Sequence, residues 1–258
     1  MISMVSLIRL LKEAKGAPKA IIMAGAPGAG KTSIVKDIIA DLGLKVLNID
    51  DFFIKNLQDA GISLDLKRAD TQGKEGARKA MGLAQQEYRG VLQREIGTKS
   101  DIVIDSTAAD YNKIAKLKKI LEAAGYDVLM VYVYASLEKS LKKNEDRFER
   151  SLGKDRSIMP SLVLKIWAGV TRNFEPYLNL FNQNFVAVSK DKDPFSQKNL
   201  KDIIKRYIEP FEQGDVKLQA ELEDEILQLR NKENIQNIIQ QTVSKEEAQN
   251  KIKTFLNS

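Results

Sequence analysis

The chain has 258 residues, of which 43% are hydrophobic and 29% are charged, so it can build a sizeable core. It contains no cysteine, which excludes disulfide frameworks, thiolate zinc sites, iron-sulfur clusters and cysteine nucleophiles. It contains no histidine either, so acid-base chemistry must fall to Asp, Glu, Lys or Tyr. No apolar stretch approaches the roughly 20 residues that cross a bilayer, and we expect a soluble cytoplasmic protein with no membrane partner.

The net charge of +6 divides unevenly along the chain. Residues 211–258 carry six basic and nine acidic side chains, a net charge of −3, which leaves +9 on residues 1–210. A basic body suits nucleic acid or a phosphorylated small molecule as partner, although solvated lysines on helices commonly produce the same excess. We divide the chain into an N-terminal helix over 1–17, an α/β domain over 18–210 and an acidic helical tail over 211–258.

Short apolar segments alternate with longer amphipathic segments from residue 20 onward. Segments rich in Val, Ile and Leu predict buried parallel strands at 20–24, 45–49, 101–105, 127–134 and 184–188. The intervening segments have helical spacing, as between Ile34 and Ile38. This alternation predicts a three-layer α/β fold with helices on both faces of a mostly parallel, five-stranded sheet.

Three segments fit the alternation less well. Residues 55–76 are basic without clean periodicity, and we expect an irregular excursion over the strand ends. Residues 153–160 are basic and end in proline between two helices, a pattern that favours a mobile lid. The tail carries an apolar stripe at helical spacing, formed by Leu218, Leu222, Ile226 and Leu229. This stripe predicts an amphipathic helix that packs on the body, or binds a second copy or another partner.

A phosphate-binding motif follows the first predicted strand. Residues 25–32 match the P-loop pattern G-x-x-x-x-G-K-[ST] in full. The glycines let backbone N–H groups surround a triphosphate, Lys31 reaches the β- and γ-phosphates, and the Thr32 hydroxyl can bind Mg²⁺. The predicted binding residues are Gly25, Ala26, Pro27, Gly28, Ala29, Gly30, Lys31, Thr32 and Ser33.

Acidic residues end two of the predicted strands. Asp105 follows three apolar residues and would lie at the carboxyl edge of the sheet, where it can hold Mg²⁺ directly or through water. Asp50 and Asp51 end the second strand, and one of them is a candidate base that accepts the proton of a substrate hydroxyl. Capping of the following helix by either residue is the alternative.

These features occur in an order that resembles the zeta-toxin family, within the polynucleotide-kinase-like branch of P-loop kinases. The resemblance covers about residues 18–190. It includes the P-loop, the Asp-Asp pair, residues 104–107 and residues 125–128. Its most specific part is the stretch 145–149 followed by Asp155, Arg156, Pro160, Trp167, Leu180 and Phe181.

The resemblance implies a P-loop kinase domain over 18–210 that transfers the γ-phosphoryl of ATP to a hydroxyl. Lys31 and Thr32 would hold ATP and Mg²⁺. Asp50 would activate the acceptor hydroxyl, with Asp51 as the adjacent alternative.

Three further residues take roles from the same resemblance. Arg147 and Arg156 would correspond to two lid arginines that bind the triphosphate. Thr107 would lie near the acceptor.

The sequence leaves three interpretations of the acceptor and the partners open. Similarity to zeta toxins implies a small or nucleotide-linked acceptor such as UDP-N-acetylglucosamine, and similarity to polynucleotide kinases implies a 5′-hydroxyl end. The third reading is an ATP-dependent binding protein whose tail or residues 55–79 engage nucleic acid or a protein. An antitoxin-like or self partner could bind through the tail.

Overall fold

The structure is a computed structural model that describes residues 16–35, 44–66, 68–152, 155–156, 158–189, 238 and 240–258. The helix predicted over 1–17 lies outside these residues except for Gly16 and Ala17. The apolar stripe predicted in the tail lies outside them as well.

A single parallel sheet organises the described chain, with strand order β2-β3-β1-β4-β5-β6. Its strands are β1 (Lys19–Ala24), β2 (Lys45–Asn48), β3 (Ile102–Asp105), β4 (Asp127–Tyr134), β5 (Phe185–Ser189) and β6 (Thr242–Val243). All five predicted strands are present, and the α/β fold class is confirmed. The predicted count of five strands is wrong by one, because Thr242 pairs with Ala187 and adds β6 beside β5.

Helices connect the strands in the expected alternation. They are α1 (Lys31–Ile34), α2 (Ile49–Asp59), α3 (Thr71–Thr98), α4 (Tyr111–Ala123), α5 (Leu137–Arg150), α6 (Pro160–Arg172), α7 (Phe174–Phe181) and α8 (Lys245–Asn257), with a 3₁₀ turn at Asn182–Asn184. Among the helices of the described ranges, none combines the length and the apolar character needed to cross a bilayer.

Alternate residues of β1 point into two separate cores, as strand geometry requires. Ala20 and Ile22 belong to the core on one face, which contains buried side chains of α4, α6 and α7, including Trp167. Ile21 belongs to the core on the opposite face, which contains residues of α1 and α8 such as Ile252. The sheet is therefore the middle of three layers.

The boundary between β2 and α2 differs from the prediction. The strand ends at Asn48, and Ile49 already belongs to α2. The Asn48 side chain caps the helix, since its Oδ1 accepts a hydrogen bond from the backbone N–H of Asp50 at 2.9 Å. The alternative of capping by Asp50 or Asp51 is therefore wrong, and both carboxylates lie in the first turn of α2.

The excursion predicted over 55–76 is shorter than expected. Helix α2 continues to Asp59 and α3 begins at Thr71, so only the residues between them are irregular. Asp70 caps α3 by accepting a hydrogen bond from the Gly73 N–H at 2.7 Å. Helices α2 and α3 share a small core of their own that contains Phe53, Leu57 and Ala84.

Replacing Ile252 by alanine tests whether α8 is part of the core. Ile252 is fully buried, so Ile252→Ala should lower the free energy of unfolding by about 2–5 kcal/mol through lost burial and a residual cavity. Urea denaturation measures the change. The exposed neighbour Lys253, changed to alanine, is the matched control and should shift stability by less than about 0.5 kcal/mol. Equal effects of the two substitutions would contradict the packing of α8 on the sheet.

Candidate active site

The candidate site lies where the carboxyl ends of β1, β2 and β3 meet. Strand β1 has β3 on one side and β4 on the other, so the loops after β1 lie at a switch point of the sheet, where open α/β folds bind ligands. The Gly25 N–H donates a hydrogen bond to the Thr107 carbonyl at 3.1 Å. This bond joins the P-loop directly to the loop that follows β3.

Two P-loop positions require glycine for both conformation and space. Gly25 has φ +153°, and a Cβ there would lie 2.5 Å from the Val133 carbonyl oxygen. Gly28 has φ +77°, and a Cβ there would lie 2.9 Å from the Ser140 carbonyl oxygen of α5. Side chains rarely adopt such backbone angles, and here they would also clash with backbone. The loop is therefore held tightly between β4 and α5.

Lys31 opens α1 directly behind the P-loop. The ammonium of this half-buried side chain donates hydrogen bonds to the carbonyl oxygens of Gly25 at 2.7 Å and Ala26 at 3.3 Å. Burial lowers the pKa of Lys31, and the carboxylates of Asp105 and Asp50 oppose that shift. The lysine charge thus lies inside the loop and within the field of two of the predicted site carboxylates.

Asp105 ends β3 at the centre of the site. Its Oδ2 accepts a hydrogen bond from the Asn48 side-chain amide at 3.3 Å. Burial raises the pKa of Asp105, the charge of Lys31 counteracts this, and Asp50 and Asp51 add to the rise. The negative charge of Asp105 is consequently costly, and a cation close to it would be favoured.

Asp50 and Asp51 have different surroundings in the first turn of α2. A guanidinium nitrogen of Arg156, Nη2, lies 2.7 Å from Asp50 Oδ1, and the two side chains are only 13% and 26% exposed. Asp51 is exposed. Partial burial and the nearby carboxylates Asp50 and Asp155 raise the pKa of Asp51.

Each predicted arginine is paired with a carboxylate. Arg147 Nε donates to Asp155 Oδ2, and the charge of Arg147 acts on both Lys31 and Asp105. Arg156 also lies over the Phe53 ring, 5.3 Å from its centroid. Its Nε is buried and has no hydrogen-bond partner among the described residues. The structure thus brings Lys31, Asp50, Asp105 and both arginines together.

The remaining predicted residues lie at the same edge of the sheet as these side chains. Thr32 is exposed in the first turn of α1, and Ser33 is half-buried. Thr107 is half-buried beside the P-loop, where its carbonyl accepts the bond from Gly25. Residues 153, 154 and 157 of the predicted lid lie outside the described residues.

Sequence reasoning missed the parts that Asn48 and Tyr88 play in this site. Asn48 caps α2 and donates a hydrogen bond to Asp105. In the sequence, only its place shortly before the Asp-Asp pair pointed to these two roles. Tyr88 of α3 makes an edge contact with Phe52, with ring centroids 6.3 Å apart. Burial and the charge of Asp105 raise the pKa of Tyr88 to about 12. No sequence pattern linked Tyr88 to Asp105.

The oxygen donors suit Mg²⁺ chemically. Thr32 offers a hydroxyl, Asp105 offers a carboxylate, and Mg²⁺ prefers hard oxygen ligands completed by water and phosphate. Within the described part of the chain no three acidic side chains are arranged to hold a metal alone. The residues therefore fit a metal that arrives with a nucleotide rather than one held by the protein unaided.

A parallel sheet with a P-loop after its first strand and a helix N-terminus behind the loop defines a P-loop, kinase-like fold. The zeta toxin family profile matches residues 7–196. Because this match covers most of the chain, the protein belongs to the zeta toxin family.

Solved structures share this fold at low sequence identity. One comes from a study of the PezAT chromosomal toxin-antitoxin system of Streptococcus pneumoniae, with 17% identity, a TM-score of 0.51, and coverage of 88% of this chain and 94% of the other. Another is AvrRxo1-ORF1:-ORF2 with ATP, with 19% identity, a TM-score of 0.55, and coverage of 73% and 59%. No curated protein matches the chain in sequence. Family and fold together support a nucleotide-dependent, kinase-like phosphotransferase.

Neutralising Asp105 should stabilise the protein while damaging its site. Since its pKa is raised in the folded state, the charged form of Asp105 opposes folding above its unfolded pKa, and this cost is absent at lower pH. Asp105→Asn should therefore raise Tm near pH 7.5 by about 2–4 °C, as expected for about 1 kcal/mol in a protein of this size. The gain should shrink as pH falls toward 4. A gain of the same size at both pH values, measured by thermal denaturation, would show that charge is not the cause.

Proposed function

We propose that this protein transfers the γ-phosphoryl group of ATP to a hydroxyl group of a small or nucleotide-linked acceptor, with Mg²⁺ as the metal. The observation that carries the proposal is the convergence of Lys31, Arg147 and Arg156 with Asp50 and Asp105 beside a P-loop. Phosphoryl transfer needs positioning and charge compensation more than covalent chemistry, and this cluster offers both.

The positively charged side chains of the site would bind the triphosphate. Lys31, with its charge inside the loop, would contact the β- and γ-phosphates. The backbone N–H groups of the P-loop would hold these phosphates in place. Arg147 and Arg156 would compensate the charge that spreads over the transferred group. Arg147 lies in the last turn of α5, and Arg156 lies in the segment that joins α5 to α6.

Asp50 is the better candidate for the base than Asp51. Its carboxylate is the less exposed of the two, and it acts on Lys31 as well as on Asp105. Asp50 would accept the proton of the acceptor hydroxyl as the new bond to phosphorus forms. Histidine, the commonest base, is absent from the chain.

Mg²⁺ would be held by the Thr32 hydroxyl and by Asp105, the latter directly or through water. The ion would neutralise charge on the β- and γ-phosphate oxygens when it is bound with ATP. It would also offset the repulsion that Asp105 receives from Asp50 and Asp51.

The acceptor would lie on the α2–α3 side of the site. Thr107 and the protonated hydroxyl of Tyr88 both lie near Asp105 and could hydrogen-bond a sugar hydroxyl. Membership of the zeta toxin family favours a nucleotide sugar. The PezAT relative comes from a toxin-antitoxin system, and we extend to this chain the proposal of an antitoxin-like partner.

An acceptor screen tests the proposed activity. ADP formation from Mg-ATP is measured with UDP-N-acetylglucosamine, with nucleosides and with a 5′-hydroxyl oligonucleotide, and Lys31→Ala is the blank. One acceptor class should stimulate ADP formation, and Lys31→Ala should lower that rate by at least about 10²-fold, the scale of losing one preorganised charge donor. Phosphate found on the acceptor completes the assignment. ATP binding without stimulation by any acceptor would favour an ATP-dependent binding protein instead.

Comparing the two adjacent carboxylates tests the base. Asp50→Asn should abolish phosphoryl transfer while ATP still binds, because the amide keeps the shape of the side chain but cannot accept the proton. Asp51→Asn is the matched control and should retain most of the activity. Transfer rates with the acceptor from the screen, set beside nucleotide affinities, measure both effects. Retained transfer by Asp50→Asn together with loss in Asp51→Asn would move the role to Asp51.

A further inference from the structure

Two anions compete for the Arg156 guanidinium. The first is Asp50, which holds Arg156 at 2.7 Å, and the second is the triphosphate, which Arg156 binds under the proposed function. We propose that Arg156 exchanges Asp50 for the triphosphate, so that ATP binding releases the base and the acceptor can be used only afterwards. This inference deepens the proposed function and rests on it.

The ion pair with Arg156 restricts how Asp50 can act as the base. Arg156 Nη2 occupies Asp50 Oδ1, and the guanidinium also lies over Phe53, three residues further along α2. The Asp50 side chain is 26% exposed, and the pair leaves at most its other oxygen, Oδ2, for a second partner. While the pair persists, an acceptor hydroxyl has to compete with a charged donor for the carboxylate.

The same pairing leaves Arg156 incompletely bonded. Its Nε is buried without a hydrogen-bond partner among the described residues, and burying a donor without a partner is unfavourable. Phosphate oxygens can accept from two guanidinium nitrogens at once and carry more negative charge than one carboxylate. Moving from Asp50 to a triphosphate would therefore give more of the Arg156 guanidinium donors a hydrogen-bond partner.

A neighbouring pair links this exchange to Arg147. Asp155 accepts a hydrogen bond from Arg147 through Oδ2 and from the Arg156 backbone N–H through Oδ1 at 2.8 Å. A backbone movement at Arg156 would therefore also disturb the partner of Arg147, whereas rotation of the Arg156 side chain alone would not.

Nucleotide affinity tests the exchange without any acceptor. The probe is the Mg²⁺ complex of a non-hydrolysable ATP analogue, titrated calorimetrically into the wild type, Lys31→Ala, Asp50→Asn, Asp51→Asn, Arg156→Gln and the double variant Asp50→Asn/Arg156→Gln. Asp50→Asn should bind the analogue at least about fivefold more tightly, a change within the usual range of coupling between paired residues. Thermal denaturation of every variant confirms that it is folded.

Asp51→Asn separates this release from a general loss of negative charge. It removes one charge from the same turn of α2 without freeing an arginine, so its gain in affinity should be smaller than that of Asp50→Asn. In the Arg156→Gln background, the extra gain from Asp50→Asn should disappear. Inorganic tripolyphosphate should reproduce the pattern, and adenosine should show no difference between variants, because the competition concerns only phosphate oxygens.

Three results would overturn the exchange. Equal gains in Asp50→Asn and Asp51→Asn, or a gain that survives in Arg156→Gln, would reduce the effect to simple charge repulsion. Weaker binding by Asp50→Asn would mean that Asp50 positions Arg156 for the nucleotide instead of competing for it. Failure of the wild type to bind the analogue in a Lys31-dependent way would refute the proposed function itself, and is thereby distinguishable from failure of the exchange.

Discussion

The site is organised by the mutual repulsion of three carboxylates. Asp50, Asp51 and Asp105 are carried to one edge of the sheet by β2, α2 and β3, and burial together with the neighbouring carboxylates raises the pKa of both Asp51 and Asp105. The positively charged side chains around them offset that repulsion. Lys31 lies in the field of two of the three, and Arg156 neutralises Asp50 directly. A phosphorylated nucleotide with its metal would redistribute these charges without adding a new element to the fold.

The framework that holds this charge cluster is rigid backbone. The P-loop is bonded to the segment after β3 and fits against backbone atoms of β4 and α5, with no room for a Cβ at Gly25 or Gly28. The segment after β3 is held in turn by α6 and α7, since Tyr177 donates to the Ala108 carbonyl at 2.7 Å and Asn173 to the Ala109 carbonyl at 2.9 Å. Small shifts of Lys31 relative to Asp105 would therefore require movement of several packed elements.

Features carried by contiguous sequence could be predicted, and features created by long-range packing could not. The P-loop and Asp105 each follow an apolar strand, so their chemistry and their place in the sheet were readable together. The cap of α2 is Asn48 rather than Asp50 or Asp51, and the prediction missed it because Asn and Asp cap helices about equally well. Strand β6 has only two residues, Thr242 and Val243, too few to show an alternating pattern. The approach of Tyr88 to Asp105 depends on how α3 lies on α2, which no local spacing encodes.

Strand β6 and helix α8 also affect how the chain can fold while it is being synthesised. They lie beyond residues 7–196, which match the family, yet they pair with β5 and share a core with Ile21 of β1. On a ribosome, the P-loop and both arginines emerge long before Ala248 and Ile252 are available to cover that face of the sheet. Until Ala248 and Ile252 emerge, the apolar side chains that share their core in the finished protein, such as Ile21, lack these neighbours, an aggregation-prone stage in which chaperones could bind the nascent chain. Ala29 of the P-loop and Ile34 of α1 belong to the same core, so they gain these neighbours only late in synthesis.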